Sequence, residues 1–416
     1  MSASKRTYAP GPAEAPGDGR SGSSRFTADG SVYRRRIAGA VDLPDYIPGL
    51  DGLRAISVML VIVAHAGFEH IIPGGLGVTV FFFISGFLIT NLMISEAVQT
   101  GRTAIGKFYV RRYLRLAPEL YFYVLVCLLA SALFFRVETG EIVAAALYVM
   151  NYFRLFAEAD SSGPINPFVL GHLWSLAVEE HFYLVFPLLF AALFRRPKAL
   201  LAALIAICGA AVVVRAVAFG VFGNVDYTSF ASDARIDSII YGCLLALGLR
   251  HPSGASFAER VGKSPVLLAA LALMLATLLF RDDTFRAVFR YSLQGVALFV
   301  GVAALYTNAL GTFAVTILEL GPLRFLGRIS YGMYLWHFLP VQAVFMWRGF
   351  DPAEAVAAPL SDKLTAIVVS TAVAVAMGYL GQRFLLRPLA GVRHRFGSRT
   401  AQGLAREPDD AFQRNV

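Results

Sequence analysis

Long apolar runs alternate with short basic segments over most of this chain. The runs recur between Gly52 and Leu386. A helix needs about 20 apolar residues to cross a hydrocarbon layer of about 30 Å. The pattern predicts an all-α polytopic membrane protein with ten transmembrane helices, at about 50–69, 76–95, 117–135, 172–194, 198–220, 235–250, 264–280, 288–308, 329–347 and 364–386.

An eleventh apolar segment, 141–156, is interpreted through the distribution of basic residues. If the N-terminus is cytoplasmic and this segment does not cross, the arginines and lysines of 96–116, of most later loops and of the C-terminal tail are cytoplasmic. That is the arrangement the positive-inside rule favours, and Arg281, Arg286 and Arg290 are its exceptions. We therefore expect both termini in the cytoplasm and 141–156 as a re-entrant or interfacial segment.

Polar, basic tails flank the membrane region. Residues 1–45 are rich in Gly, Pro, Ala and Ser without apolar periodicity, so we expect a disordered leader that is not a cleavable signal peptide. Residues 388–416 form a similar Arg-bearing tail. The expected organisation is a single membrane domain, 46–387, between two disordered segments.

Composition excludes most other classes. The chain is 57% hydrophobic and only 16% charged, and its mean hydropathy of +0.61 is outside the soluble globular range. The net charge of +9 fits membrane orientation rather than nucleic-acid binding. Cys127, Cys208 and Cys243 lie in apolar runs without a CxxC pair or a nearby histidine at ligand spacing. They are interpreted as reduced core thiols, and no metal site is expected.

Arg54 and His65 are two ionisable residues inside the first apolar run. At about 100° per residue, eleven residues come to about 20° past three full turns, so both side chains project from nearly one helix face, about 16 Å apart along the axis. Arg54 falls at the cytoplasmic end and His65 in the outer half. A snorkelling anchor and an interhelical hydrogen bond are the structural alternatives, but ionisable groups at such depth are usually functional.

A basic cluster precedes the third run, in KFYVRRYLRLAPELY. Arg111 and Arg115 are four residues apart and are expected to share a helix face, with Arg112 beside them. Guanidinium groups suit phosphate at the cytoplasmic surface. Determining membrane orientation alone is the alternative role.

The segment GHLWSLAVEEHFYLVFP is unusually polar for a membrane entry. Glu179 lies four residues after Ser175 on the same face, at a depth approaching that of His65. A carboxylate bonded to one imidazole nitrogen makes the other a better base. Structural pairing alone is the alternative. The polar residues concentrated here are His172, Trp174, Ser175, Glu179, Glu180 and His181.

Two further segments carry polar groups near a predicted span end. Arg235 and Asp237 in FASDARIDSIIYG are expected either to form a local ion pair or to contribute to a substrate site. Tyr334 and His337 in SYGMYLWHFLP are three residues apart and share a face, although an aromatic belt would also place tyrosine there. By contrast, Gly86 in FFFISGFLIT indicates close helix packing.

These motifs, in this order, resemble the acyltransferase-3 family of integral membrane acyltransferases. The resemblance rests on LDGLRAISVMLVIVAH, SGF, FYVRRYLRLAP, LWSLAVEEHFY, ARIDSIIYG and SYGMYLWH, and it covers about 46 to 386. His181 stands where glutamine is more usual. Some relatives carry a hydrolase-like domain after the membrane part, but none is expected in this chain.

The resemblance implies transfer of an acyl group, often acetyl, from cytoplasmic acyl-CoA to a hydroxyl of a carbohydrate or lipid-linked glycan at the inner membrane. Arg54, Arg111, Arg112 and Arg115 would hold the donor. His65, oriented by Glu179 or Glu180, would act as general base. The remaining residues expected to bind substrate are Trp174, Ser175, Arg235, Asp237, Tyr334 and His337.

Three alternatives stay open from the sequence. An acyl-histidine intermediate would replace direct transfer. A proton-coupled transporter would use His65, Glu179 and His337 as a relay, although no internal repeat is visible. A non-catalytic scaffold would leave the buried ionic groups unexplained.

Overall fold

The computed structural model describes residues 47–131, 137–156, 170–251, 253–305, 307 and 309–396. Helices dominate this part of the chain, and no strand occurs in it. The α-helices are α1 Leu50–Val63, α2 Gly74–Thr100, α3 Ile105–Ser131, α4 Thr139–Ala146, α5 Met150–Phe156, α6 Trp174–Leu193, α7 Pro197–Gly220, α8 Val225–Phe230, α9 Ser232–Arg250, α10 Gly254–Val261, α11 Ser264–Leu279, α12 Arg290–Leu305, α13 Ala309–Leu318, α14 Gly321–Arg328, α15 Ser330–Trp336, α16 Phe338–Trp347, α17 Leu360–Leu380 and α18 Ala390–Arg395.

Short irregular helices adjoin several of these elements. π-Helical segments extend α1 (Ala64–Phe68) and α17 (Gly381–Leu386), and another precedes α12 (Phe285–Phe289). Of the two expected disordered tails, only the start of the C-terminal tail falls among the described residues, where it forms α18. The rest of both tails lies outside the described part of the chain.

Seven helices of the described chain are long and apolar enough to cross a membrane, which confirms an all-helical membrane protein. They are Leu50–Phe68, Gly74–Val98, Ile105–Ser131, Gly171–Leu193, Pro197–Gly220, Phe285–Leu305 and Leu360–Leu386.

The other three predicted spans differ in ways that the sequence explains. Helix α9 carries Asp233, Arg235 and Asp237 in its first two turns. Helix α11 is apolar but has only 16 residues. The predicted span 329–347 is interrupted at His337, between α15 and α16.

Segment 141–156 falls largely within two short helices, α4 and α5. They have 8 and 7 residues, whereas a span needs about 20. Tyr148, between them, has a φ of 56°, so the chain changes direction there. Neither helix can cross a hydrocarbon layer of about 30 Å alone.

A glycine-mediated crossing of α2 and α9 forms the centre of the described fold. A Cβ added to Gly86 would overlap the carbonyl oxygen of Ile239, and one added to Gly242 would overlap that of Phe83. The two backbones are therefore in direct contact, which is the packing predicted from FFFISGFLIT.

The periphery of the fold is apolar rather than polar. On α7, for example, Leu201, Ile205 and Val213 are exposed. Such a surface suits lipid, where a polar exterior would be costly.

Candidate active site

A cavity of about 330 Å³ lies among α1, α2, α3, α6, α15 and α17. Its polar wall is dominated by cations, an arrangement that favours an anionic ligand in a membrane region. The charged and hydroxyl side chains in the wall are Arg54, Arg112, Arg115, Arg328, Glu119, Glu179, Ser85, Ser175, Ser330, Tyr183, Tyr331 and Tyr334.

Arg54 and Arg112 occupy the wall in different ways. The buried Nε of Arg54 has no hydrogen-bond partner. The guanidinium of Arg112 instead lies 4.8 Å from the ring centroid of Tyr183. Arg115 is exposed while Arg112 is half-buried, so the cavity opens at the arginine end. The free N–H of Arg54 Nε in this wall can donate a hydrogen bond to a ligand.

Arg111 does not share this wall, contrary to the expectation that Arg111 and Arg115 form the pair. Its guanidinium donates to the carbonyl oxygen of Phe396 at 2.7 Å and to Glu96 Oε2 at 3.3 Å. Arg112 and Arg115, three residues apart, also share a helix face and line the cavity together. The carboxylate on α2 is the physical reason that Arg111 turns away.

Glu179 lines the cavity but does not orient His65 as expected. Its Oε1 accepts a hydrogen bond from Ser85 Oγ at 2.6 Å, and Ser85 Oγ accepts one from the Tyr183 hydroxyl at 3.1 Å. Glu180 is half-buried and is not among the residues of the cavity wall. Glu179 is therefore part of the wall of the cavity, and the hydrogen-bond partner of His65 is a different residue.

That partner is His337, from the break between α15 and α16. His65 Nδ1 and His337 Nε2 are 2.8 Å apart, and the ring planes differ by 11°. His337 is 0% exposed and does not line the cavity, so its expected role in binding substrate is not what its position supports. The buried imidazole of His337 contacts the side chain of His65 instead.

Tyr334 and Ser175 line the end of the cavity that is nearest to the histidine pair. The Tyr334 hydroxyl donates to the carbonyl oxygen of His172 at 2.7 Å. The 2.6 Å contact between Ser175 Oγ and the Tyr334 oxygen must then be donated by Ser175. Beyond them, the Tyr334 ring centroid lies 5.4 Å from that of His337. The cavity thus approaches the histidine pair without including it.

Asp237 belongs to a buried structural network on α7, α9 and α12. Arg215 NH2 lies 2.8 Å from Asp237 Oδ2, and Ser292 Oγ donates to the same oxygen at 2.6 Å. Arg215 also donates to the carbonyl oxygens of Val288 and Ala234. The sequence reasoning missed Arg215, although a lone arginine within GAAVVVRAVAF was the signal for a buried ionic partner.

Arg235 also packs outside the cavity. Its guanidinium lies 3.6 Å from the ring centroid of Tyr291 and donates to Thr79 Oγ1 at 3.1 Å. The cation that binds Asp237 is Arg215, so the local ion pair considered for Arg235 is replaced by one from another helix. Trp174 packs edge-on to Phe82, with ring centroids 6.1 Å apart. Neither Arg235 nor Trp174 is in the cavity wall.

Glu119 is a cavity residue that the sequence reasoning overlooked. It is 2% exposed and its Oε1 has no hydrogen-bond partner. A Cβ at Gly332 would overlap this oxygen, so glycine makes room for the carboxyl group. A carboxyl group one turn after Arg115, inside a span, was the available signal.

Metal chemistry has no evident site in the described part of the chain. No group of three or more His, Cys, Asp or Glu side chains there could hold a metal ion.

Comparison with known proteins identifies the family of the chain. The family described as "Acyltransferase domain" matches residues 47–380. The O-acetyltransferase OatA of Staphylococcus aureus is 32% identical over 312 residues, which cover 71% of this chain and 50% of the relative. The peptidoglycan O-acetyltransferase OatA of Listeria monocytogenes is 31% identical over 309 residues, covering 70% and 49%.

A third relative extends the match. The putative peptidoglycan O-acetyltransferase YrhL of Bacillus subtilis is 29% identical over 364 residues, covering 83% of this chain and 55% of the relative. The chain thus spans about half the length of the curated relatives it matches. No solved structure matches the chain.

Proposed function

We propose that this chain, which belongs to the family of acyltransferase domains, is a membrane O-acetyltransferase that moves acetyl from acetyl-CoA to a hydroxyl of a glycan. The observation that carries the proposal is the arginine-lined cavity whose inner end approaches His65. It combines a place for an anionic donor with a nearby imidazole. The names of the relatives point to peptidoglycan as the first acceptor to test.

The donor is assigned to the basic end of the cavity. Arg112 and Arg115 would bind phosphate groups of acetyl-CoA, because guanidinium forks bind phosphate oxygens by charge-assisted hydrogen bonds. Arg54 would supply a third cation, since its Nε is unpartnered in the wall. The thioester would point towards Ser175 and Tyr334.

His65 is assigned as the general base. It would remove the proton of the acceptor hydroxyl while the oxygen attacks the thioester carbonyl carbon. The carbon–sulfur bond then breaks, and the departing thiolate takes up the proton. In an acetyl-histidine route the imidazole attacks first, and acetyl passes to the hydroxyl in a second step.

The proposed topology brings the donor from the cytoplasm and the acceptor from the outer side of the inner membrane. Ten crossings with both termini cytoplasmic place most basic loops inside. They require α9, α11 and the interrupted α15–α16 segment to cross in addition to the seven long apolar helices. Most residues of α9 are buried in the fold and Asp237 is paired with Arg215, which supports its crossing despite the charges in its first two turns.

Transfer of labelled acetyl from acetyl-CoA to purified peptidoglycan fragments, with the full chain in proteoliposomes, tests this function. His65→Ala should lower transfer by about 100-fold or more, the scale of a lost general base. The matched control is His70→Ala, because His70 is exposed five residues further on. Undiminished transfer by His65→Ala would reject His65 as the general base. Failure to label any glycan acceptor would reject the acetyltransferase function.

A further inference from the structure

The two bonded histidines lie at interruptions of regular helix. His65 lies in the π-helical extension of α1, in which Gly67 has a φ of 90°. His337 lies between α15 and α16. Because the planes differ by only 11° and the nearest nitrogens are 2.8 Å apart, the rings meet edge to edge in a hydrogen bond.

The other nitrogen of His337 sets the direction of that bond. His337 Nδ1 lies 2.7 Å from the backbone carbonyl oxygen of Tyr334. A carbonyl oxygen only accepts, so Nδ1 carries the hydrogen. A neutral imidazole has one N–H and one lone pair, and therefore His337 Nε2 accepts. The hydrogen in the histidine pair belongs to His65 Nδ1.

Burial keeps the imidazole of His337 in its neutral form. The side chain is 0% exposed and is surrounded by the rings of His172 and Phe338, at centroid distances of 5.4 and 6.0 Å. Among the described residues, no carboxylate accepts a hydrogen bond from either ring of the pair. An imidazolium here would be buried without a counter-charge, which is costly.

We infer that His337 is a positioning residue that holds His65 in the tautomer whose lone pair is on Nε2, and that Nε2 is the atom that takes the hydroxyl proton. The inference rests on the proposed function for the reaction that uses this lone pair. When the hydroxyl O–H bond breaks, the proton goes to His65 Nε2 as the new carbon–oxygen bond forms and the thiolate leaves. His65 Nδ1–H continues to donate to His337, which stabilises the imidazolium until the proton returns to the thiolate.

Substitutions at His337 separate an acceptor role from simple packing. His337→Gln keeps a side-chain acceptor, the amide oxygen, within reach of His65 Nδ1, whereas His337→Leu fills space without one. We expect kcat to fall about 100-fold in His337→Leu and within about tenfold in His337→Gln, with KM for acetyl-CoA little changed in both. His172→Leu removes a neighbouring buried ring that does not bond to His65, and its effect on kcat should be smaller than that of His337→Leu.

Solid-state ¹⁵N NMR of the histidine-labelled protein in lipid reports the tautomer without relying on activity. The chain has seven histidines, and His65→Ala identifies the His65 signals. The inference is supported if neutral His65 carries its hydrogen on Nδ1 in the unmodified protein and in His337→Gln, and if this tautomer changes in His337→Leu. Protonation of neutral His65 at Nε2, or an equal fall in kcat in the two His337 variants, overturns it. Active His65→Ala protein would instead overturn the base assignment, while the NMR result still decides the tautomer.

Discussion

Arg111 and Arg112 are adjacent in sequence, yet the structure gives them different environments, which allows a matched test of the donor site. Arg112 lines the cavity, whereas Arg111 binds Glu96 and the Phe396 carbonyl. Replacing either residue with glutamine removes one positive charge from the same helix turn. Any effect on membrane insertion should therefore be the same in both variants. Only an effect on acetyl-CoA binding should differ between them.

The expected magnitude follows from the hydrogen bonds that each substitution removes. A charge-assisted hydrogen bond contributes about 1.5–3 kcal/mol, so Arg112→Gln and Arg115→Gln should each raise KM for acetyl-CoA by about 10- to 150-fold. Arg111→Gln removes a partly exposed ion pair with Glu96, worth about 0–1 kcal/mol of stability. It should leave KM within about threefold of the unmodified value, because Arg111 does not line the cavity.

The assay is initial-rate transfer of labelled acetyl at varied acetyl-CoA, normalised to inserted protein. Direct binding of acetyl-CoA to the detergent-purified variants provides the second measurement. The reasoning is refuted if Arg111→Gln raises KM as much as Arg112→Gln does. It is also refuted if all three variants change only the amount of inserted protein.

Three further predictions concern stability. Gly86→Ala should destabilise by about 1–3 kcal/mol through overlap at the helix crossing, and Gly209→Ala, with open space around it, should not lower Tm of the purified protein. Arg215→Leu leaves Asp237 buried without its cation and should cost about 3–5 kcal/mol, whereas adding Asp237→Leu should restore most of the stability; equal Tm in single and double variants would contradict this. Burial raises the pKa of Glu141 from 4.5 to about 7, so the native state favours the protonated acid and stability should fall by about 3 kcal/mol as pH rises from about 4.5 to 7. Glu141→Gln, which keeps an oxygen for the Leu170 N–H, should remove this dependence in pH-dependent unfolding curves.

Membrane architecture could be predicted from the sequence because hydrophobic length is a local property. Every one of the seven long apolar helices corresponds to a predicted span. The packing role of Gly86 was also visible, since glycine within an apolar helix allows another backbone to approach. The break at His337 was missed, although Pro340 was the available signal, because proline cannot donate to the carbonyl oxygen four residues earlier and its ring clashes with that group.

Side-chain pairing could be predicted only in part. Helical spacing led to the prediction that Arg111 and Arg115 form the pair, although Arg112 can share a face with Arg115 as well. The structure pairs Arg112 with Arg115 because Glu96, on another helix, binds Arg111. Likewise, Glu179 or Glu180 was expected to orient His65, whereas His337, 272 residues away in sequence, makes that contact. Spacing fixes which residues share a face, and tertiary packing decides which partner each one meets.

The hydrogen-bond direction at Tyr334 has a consequence for which molecules can enter the inner end of the cavity. Since the Tyr334 hydrogen is committed to the His172 carbonyl and the Ser175 hydrogen to Tyr334, both hydroxyls turn only lone pairs towards a newcomer. This end therefore attracts groups that carry an O–H or N–H and repels carboxylates and phosphates. The cavity is thereby polarised along its length, with cations selecting anions at the mouth and oxygen lone pairs selecting hydrogen donors at the far end.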